Sequence, residues 1–356
     1  MKNRPSVWLG GILLLALVLR CIALESRPLA YDDAFSFFLA RQPFANIVQG
    51  TAADTMPPLY YFLLHGWMQI SQAVWFMRSL SVVLNLASIW VLYLLVKQLA
   101  GRTAGLWAAF LAAISPLQIY HAQDMRMYAL MVLCQISYLY FFVRIWQTYG
   151  SKAAHRRYWV GLVVSGALAM YSHNLAIFAL VVPDVFLLVR RDWKLLGRLI
   201  AAQAGIGLLA LPWLVYLPGQ LAKVQRAFWT PLPGVVEILQ SVILSAANLP
   251  MPDTLMIAGA VASTLAMALV FFEGQRAFRG DGRNRMGFLA LIMVLVPGLL
   301  FIISYLMRPV FVTREFLVSI LAYLGLAGVV LTRIKRRAMR WFLVLCFLVA
   351  CLAALP

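Results

Sequence analysis

The sequence is short of charge, and shortest of acid. Only 12 of its 356 residues are Asp or Glu, and charged residues of both signs make up 12%. A soluble domain is about a quarter charged, so an ordinary water-facing globular surface is excluded. Cysteine is scarce too. Cys21, Cys134, Cys346 and Cys351 all lie inside apolar runs, with no CxxC spacing and no His/Cys cluster. That argues against a cysteine-built zinc site, and no disulfide is expected. There is no glycine-rich phosphate loop, internal repeat or low-complexity tract.

What the chain has in quantity is apolar residues: 63% of the total, with a mean hydropathy of +0.86. This is the composition of a polytopic membrane protein. A spanning helix needs about 20 apolar residues to cross roughly 30 Å of hydrocarbon. Eleven segments are expected to span, at 5–24, 74–96, 104–120, 126–146, 158–172, 174–190, 196–217, 254–272, 286–306, 315–332 and 341–355. The first resembles a signal peptide, but no A-x-A site follows it, and Arg20 sits beside Cys21 where a lipoprotein signal needs a small residue. It is expected to be retained as a helix.

The net charge of +18 would suggest a nucleic-acid binder in a soluble chain. Its distribution says otherwise. With Lys2 and Arg4 in the cytoplasm, 20 of the 30 basic residues fall on inner loops and 8 on outer loops. That is the bias that orients membrane proteins, and no nucleic acid is expected as a partner. Acids divide the other way, with 8 of 12 outside. The outer face is therefore charge-balanced and acid-rich, which orientation alone does not require. Chemistry on that face is the expectation.

The outer loops are also long. The first, 25–73, carries "AFSFFLA" and "PPLYYFLLHGWM", expected as two helices lying in the membrane interface; the second covers 218–253. Four clusters stand out. In "YDDAF", Asp32 and Asp33 are adjacent; one Asp would serve as a helix cap, and two suggest use. In "SPLQIYHAQDMRMYAL", Pro116 is expected to bend the third span, and Gln123, Asp124, Arg126 and Tyr128 follow at the turn. In "AADTMPPLYY", Asp54 precedes Pro57-Pro58, and in "MRPVFVTREF" Arg308 and Arg314 flank a kinked loop. His173, in "MYSHNL", would face the same compartment. Turn formation, lipid headgroup contact or a local Asp–Arg pair would explain each cluster singly.

Their order carries more than any one of them. The succession DD, D-x-x-PPLYY, Q-D-x-R-M-Y, Y-S-H and P-x-F-x-x-R resembles the bacterial membrane glycosyltransferases of the family 39 type, relatives of protein O-mannosyltransferases and of the lipid A aminoarabinose transferase. The resemblance covers nearly the whole chain. It implies one all-α GT-C transmembrane domain over 1–356, in the bacterial inner membrane, with a cytoplasmic N-terminus and an extracytoplasmic site. Three departures stand beside it. The family's Asp-Glu pair is Asp32-Asp33 here; Arg314 is followed by Glu315 rather than Tyr; and the chain stops at Pro356, where many relatives continue into an outer-face domain.

The resemblance further implies sugar transfer from a polyprenyl-phosphate donor to a hydroxyl acceptor. An acceptor hydroxyl needs a base, which a carboxylate supplies. The leaving phosphate is already anionic and needs cations rather than an acid. On this reading Asp32 is the base, and Asp33 orients the acceptor or a neighbouring amide. Arg126, with Tyr128 beside it, and Arg314 bind the donor phosphate. Tyr60, Gln123 and Asp124 contact substrate. Asp54 and His173 are candidate ligands for a divalent cation, which some GT-C enzymes use. One base opposite the leaving group implies inversion. The alternative is a lipid-linked-sugar flippase, which should place charges at mid-bilayer along a pathway.

Overall fold

The computed structural model describes residues 4–22, 24, 25, 27, 29–150, 156–226, 230–277 and 282–354. Lys2, Lys152, Arg279 and Asp281, which enter the charge count, lie outside the described residues, as do Ala23 and Leu355 at the margins of expected spans and 227–229 within the second outer loop. Among the described residues there are helices and no strands. That follows from the solvent. In hydrocarbon every backbone N–H and C=O must be satisfied within its own segment, and an open sheet edge cannot do so.

Six helices are long and apolar enough to cross a membrane: Val74–Ala100, Tyr128–Thr148, Trp193–Leu214, Asp253–Arg276, Asn284–Leu306 and Thr313–Arg333. A bent pair, Arg102–Ile114 with Pro116–Ala122, brings the number to seven. The count of eleven expected from sequence is not reached by this measure. Arg156–Ser172 and Arg337–Ala353 stop at 17 residues each, and Arg4–Cys21 has 18. The segment expected at 174–190 is divided into a 3-10 turn, Ile177–Leu180 and Val182–Arg190, with Pro183 at the start of the last piece.

Helix Leu317–Arg333 forms the centre. In its span 94% of the apolar window is buried, against 28% in Trp193–Leu214 and Asp253–Arg276, which turn most of their surface to lipid. Gly328 sets the closest approach. A Cβ there would meet the Ala108 backbone N at 2.6 Å and the Ala104 carbonyl at 2.8 Å. Small residues on both sides let the two backbones touch, the usual means of packing helices that gain little from burying apolar surface away from lipid.

The bend expected at Pro116 is present, at 63°. Proline lacks the N–H that would bond back to residue 112 and clashes with the preceding turn. Arg20 answers the freed carbonyls. Its guanidinium donates to Ala112 O at 3.1 Å, Ala113 O at 2.8 Å and Asn85 Oδ1 at 2.7 Å, and the side chain is fully buried. Asn85 passes the network on to Gln118 Oε1 at 3.2 Å.

The first outer loop contains three short helices rather than two: Tyr31–Ala40, Phe44–Ala53 and Leu59–Met68. The additional one, "FANIVQGTAA", buries only Ile47 and Thr51, too few positions to mark a helix in the sequence. Across the bundle, Arg78, Arg126 and Arg314 lie at or just before the starts of three spans, while Lys97, Arg144 and Arg333 lie near the far ends of the same three. Of the charge count, outer Arg78, Arg126 and Arg314 and inner Lys97 and Arg333 are thus at opposite ends of their helices, while Arg144 counts as within a helix.

Candidate active site

Helix Tyr31–Ala40 begins one residue before the acidic pair, and neither carboxylate caps it; its N-cap is Ala30, with no side-chain hydrogen bond. Both acids fall in the first turn, where the helix dipole favours negative charge. At 100° per residue, neighbours on a helix point in different directions. Asp33 points inward and is buried. Its Oδ2 accepts from Arg78 Nη2 at 2.9 Å, and its Oδ1 accepts from the Met125 backbone N–H at 3.0 Å. Arg78 also donates to the Leu24 and Arg27 carbonyls, each at 2.8 Å. Asp32 points the other way; its side chain is 43% exposed, and Oδ2 lies 3.9 Å from Arg126 Nε.

Asp32 and Arg126 share a cavity of about 310 Å³ with Asp54, His173, Arg314 and Glu315. Five separate parts of the chain supply its walls: the first outer loop, the turn after Pro116–Ala122, the 173–175 turn, helix Leu217–Arg226, and the 310–315 loop. Side-chain bonds sew these together. Asn174 Nδ2 donates to Thr55 O at 2.8 Å and to Gln220 Oε1 at 2.9 Å, while Trp213 Nε1 donates to Asn174 Oδ1 at 3.0 Å.

Arg126 is buried, and its Nη1 donates to Tyr61 Oη at 3.2 Å. Its Nε has no hydrogen-bond partner among the described residues. A guanidinium carries five N–H donors, and Arg126 lines the cavity. Burial pushes the Tyr61 hydroxyl up from its usual value, so Tyr61 is a neutral hydrogen-bonding partner. Arg314 places its guanidinium carbon 5.5 Å from the centre of the Tyr128 ring. The Tyr128 hydroxyl is buried without a hydrogen-bond partner among the described residues.

His173 accepts the Leu175 N–H at Nδ1, 3.1 Å away. Its Nε2 lies 3.1 Å from Glu315 Oε2, though out of line for a hydrogen bond, and neither atom has another hydrogen-bond partner among the described residues. Burial, helped by the charges of Arg126 and Arg314, pushes His173 down to about 3. The ring is neutral at neutral pH, so the contact is not an ion pair. Two donors fall short of a metal site, and no group of three His, Cys, Asp or Glu that could hold an ion occurs among the described residues. Asp54, expected beside His173, lines the same cavity, but the carboxylate touching the imidazole is Glu315.

Three residues expected to contact substrate lie elsewhere. Tyr60 is fully buried with its hydroxyl 3.0 Å from Ser81 Oγ, and Tyr61 is the ring that meets Arg126. Gln123 Nε2 donates to Arg20 O at 3.0 Å and Ile22 O at 2.8 Å. Asp124 pairs with Arg27 at 2.8 Å and with His121 Nδ1 at 2.9 Å, so the Asp–Arg pair of this turn is not with Arg126. Burial alone would raise the Asp124 carboxyl, but the His121 bond and the Arg27 charge hold it below the usual carboxylate range. Gln123 and Asp124 shape the turn that presents Arg126. Glu315 is the site residue sequence reasoning left without a role; its signal was scarcity, as one of 12 acids placed next to Arg314.

Residues 55–216 match the dolichyl-phosphate-mannose-protein mannosyltransferase family. The match takes in Asp54's neighbours, Arg126 and His173, and stops short of Arg314. No curated protein matches the chain in sequence. Among solved structures, ArnT from Cupriavidus metallidurans in the apo state superposes with a TM-score of 0.67 at 19% identity, over 94% of this chain and 61% of that one. The fold is that of the GT-C membrane glycosyltransferases. ArnT bound to undecaprenyl phosphate gives 0.66 at 18% identity, over 93% and 61%. The Archaeoglobus fulgidus oligosaccharyltransferase AglB, in complex with an inhibitory peptide and a dolichol-phosphate, gives 0.59 at 14%, over 99% and 56%. The expected resemblance to this GT-C group therefore holds, and the chain spans about three fifths of the length of the ArnT chains it matches.

Proposed function

We propose that the protein transfers a glycosyl group from a polyprenyl-phosphate donor to a hydroxyl acceptor at the extracytoplasmic face of a bacterial inner membrane. The observation that carries this reading is the division of labour within the acidic pair. Asp33 has both oxygens committed to Arg78 and Met125, whereas Asp32 opens on a cavity that also holds Arg126 and Arg314. An accessible carboxylate facing two guanidiniums is what transfer from a phosphate requires. The occurrence of undecaprenyl phosphate on ArnT and of dolichol-phosphate on AglB supports the donor class.

In the proposed reaction Asp32 takes the proton of the acceptor hydroxyl as its oxygen bonds to the anomeric carbon. The bond from that carbon to the phosphate oxygen breaks, and its electron pair leaves with the polyprenyl phosphate. Arg126 and Arg314 stabilise the charge that develops there. The acceptor enters opposite the leaving group, so the anomeric configuration inverts. Asp33 acts by holding helix Tyr31–Ala40 against the turn that carries Arg126. Asp54 and His173, expected as ligands for a divalent cation, do not form a group of three donors that could hold one among the described residues, and no step above depends on a metal. The site's position at one end of the bundle supports transfer over translocation, because a flippase needs polar groups along a path.

The test is incubation of the purified protein with radiolabelled polyprenyl-phosphate sugars and candidate hydroxyl acceptors. Label moving into an acceptor with wild type and not with Asp32→Asn supports the proposal. Passage of the lipid-linked sugar across vesicles without a new glycosidic bond would replace it with the flippase reading.

A further inference from the structure

At the other end of the central span lies a second polar cavity, of about 510 Å³, to which the proposed reaction gives no role. Arg314 and Arg333 are 19 residues apart on that span, which at 1.5 Å per residue separates the two cavities by roughly 30 Å. Its walls are the end of helix Asp253–Ala277, the end of Leu317–Arg333 and the three-residue link to Arg337–Ala353. Four cations converge there: Arg276, Arg333, Lys335 and Arg336. The single acid, Glu273, is occupied by Arg276 Nη1 at 2.7 Å. Among the described residues, none of Arg333, Lys335 and Arg336 has an acidic partner. Arg340 Nη2 donates to Ile334 O at 2.7 Å and so holds the link across the cavity mouth.

Topological bias accounts for basic residues on this side but not for their convergence on a cavity. Helix ends favour nearby cations by their dipoles, which covers Arg276 and Arg333; Lys335 and Arg336 stand outside both helices. The surroundings identify the anion. Phe271 and Phe272 are exposed just before Glu273, and Trp341 and Phe342 are exposed one turn past Arg337. Aromatic residues facing lipid next to a basic cavity mark headgroup depth.

We propose that this cavity binds the phosphate headgroup of an anionic phospholipid, in the leaflet opposite the candidate active site. Basic pockets between spans on the cytoplasmic side suit such headgroups, and each cation near the surface contributes enough that losing two weakens binding about thirtyfold. The experiment uses the purified full chain in neutral detergent. Thermal stability and bound lipid by native mass spectrometry are read with added cardiolipin, phosphatidylglycerol, phosphatidylcholine or inorganic phosphate. Expected is a rise in Tm and one retained lipid with cardiolipin and phosphatidylglycerol only. A Lys335→Gln/Arg336→Gln variant, changed only at exposed positions, should lose the effect, and Lys335→Arg/Arg336→Lys should keep it. Equal binding by the Gln variant overturns the site. An equal rise with phosphatidylcholine overturns the anion requirement, and an equal rise with inorganic phosphate overturns the lipid assignment.

Discussion

Asp33 and Arg78 form a buried ion pair at 2.9 Å, with 3% and 0% of their side chains exposed. It ties the first outer loop to the start of a transmembrane helix, and through the Met125 N–H it ties both to the turn carrying Arg126. Asp33→Asn leaves the Arg78 charge buried with one partner fewer. Breaking a buried pair from one side costs about 3–5 kcal/mol. The expected result is a large fall in Tm in detergent, with activity lost in proportion to folded protein. If Asp33→Asn is as stable as wild type, the pair is not the strut described here.

Gly328 admits no side chain. A Cβ at that position needs the space of the Ala108 and Ala104 backbones, at 2.6 and 2.8 Å. Backbone cannot swing aside as a side chain can, so Gly328→Ala must separate the central helix from Arg102–Ile114. Overpacking of this kind costs about 1–3 kcal/mol. Thermal unfolding in detergent measures it, and Gly66→Ala, where a Cβ meets nothing within 4 Å, is the control that should change little.

The class of protein, the Pro116 bend and the gathering of Asp32, Asp54, Arg126, His173 and Arg314 were legible in the sequence, because composition, a missing N–H and motif order are local or sequential signals. The rest depended on partners far away in the chain. Gln123 reads like a ligand-binding amide until its acceptors, Arg20 O and Ile22 O, prove to be 103 and 101 residues off. Tyr60 and Tyr61 are adjacent and alike, and only the rotation of their helix assigns one to Ser81 and the other to Arg126. Arg20, which reads as a stray charge in an apolar helix, is explained only by carbonyls that a proline on another helix sets free.

His173 should make stability depend on pH. Its pKa is about 3 in the fold against 6.5 for the free side chain. Between those values the unfolded chain binds a proton that the folded one excludes. Stability from this residue is therefore complete above pH 6.5 and declines as pH falls toward 3, by at most about 1.4 kcal/mol per unit. His173→Gln keeps a polar side chain and removes the titration. Unfolding followed from pH 7 to 4.5 should be steeper for wild type than for the variant; equal slopes would mean that the ring is protonated in the fold.

The charge asymmetry supports the proposed extracytoplasmic placement of the site, which is open to direct labelling. Gln42, on the first outer loop, and Thr103, in the first turn of helix Arg102–Ile114 at its junction with Val74–Ala100, are both exposed. Three of the four native cysteines are buried and Cys21 is exposed, so the native four are first replaced. In intact cells an impermeant maleimide should label Gln42→Cys and spare Thr103→Cys. The reverse pattern would put the candidate site in the cytoplasm and remove the proposed extracytoplasmic transfer.

Asp32 and Arg126 separate chemistry from binding. Asp32 is assigned a proton that moves only in the transition state, whereas Arg126 is assigned a phosphate present in both ground and transition states. Loss of a general base costs about 10²–10⁴-fold in rate, without a required loss of affinity. Asp32→Asn is nearly isosteric and removes a negative charge 3.9 Å from Arg126, so donor affinity should hold or improve. Its Tm should stay close to wild type, because this half-exposed carboxylate, unlike Asp33, has a 3.9 Å approach to Arg126 and no shorter ion pair. Arg126→Ala removes a donor used throughout the reaction, so affinity and turnover should fall together. Donor affinity by equilibrium binding and single-turnover rates on both variants decide the assignment. Near-normal turnover by Asp32→Asn would remove the base from the mechanism, and unchanged donor affinity in Arg126→Ala would move the phosphate to Arg314.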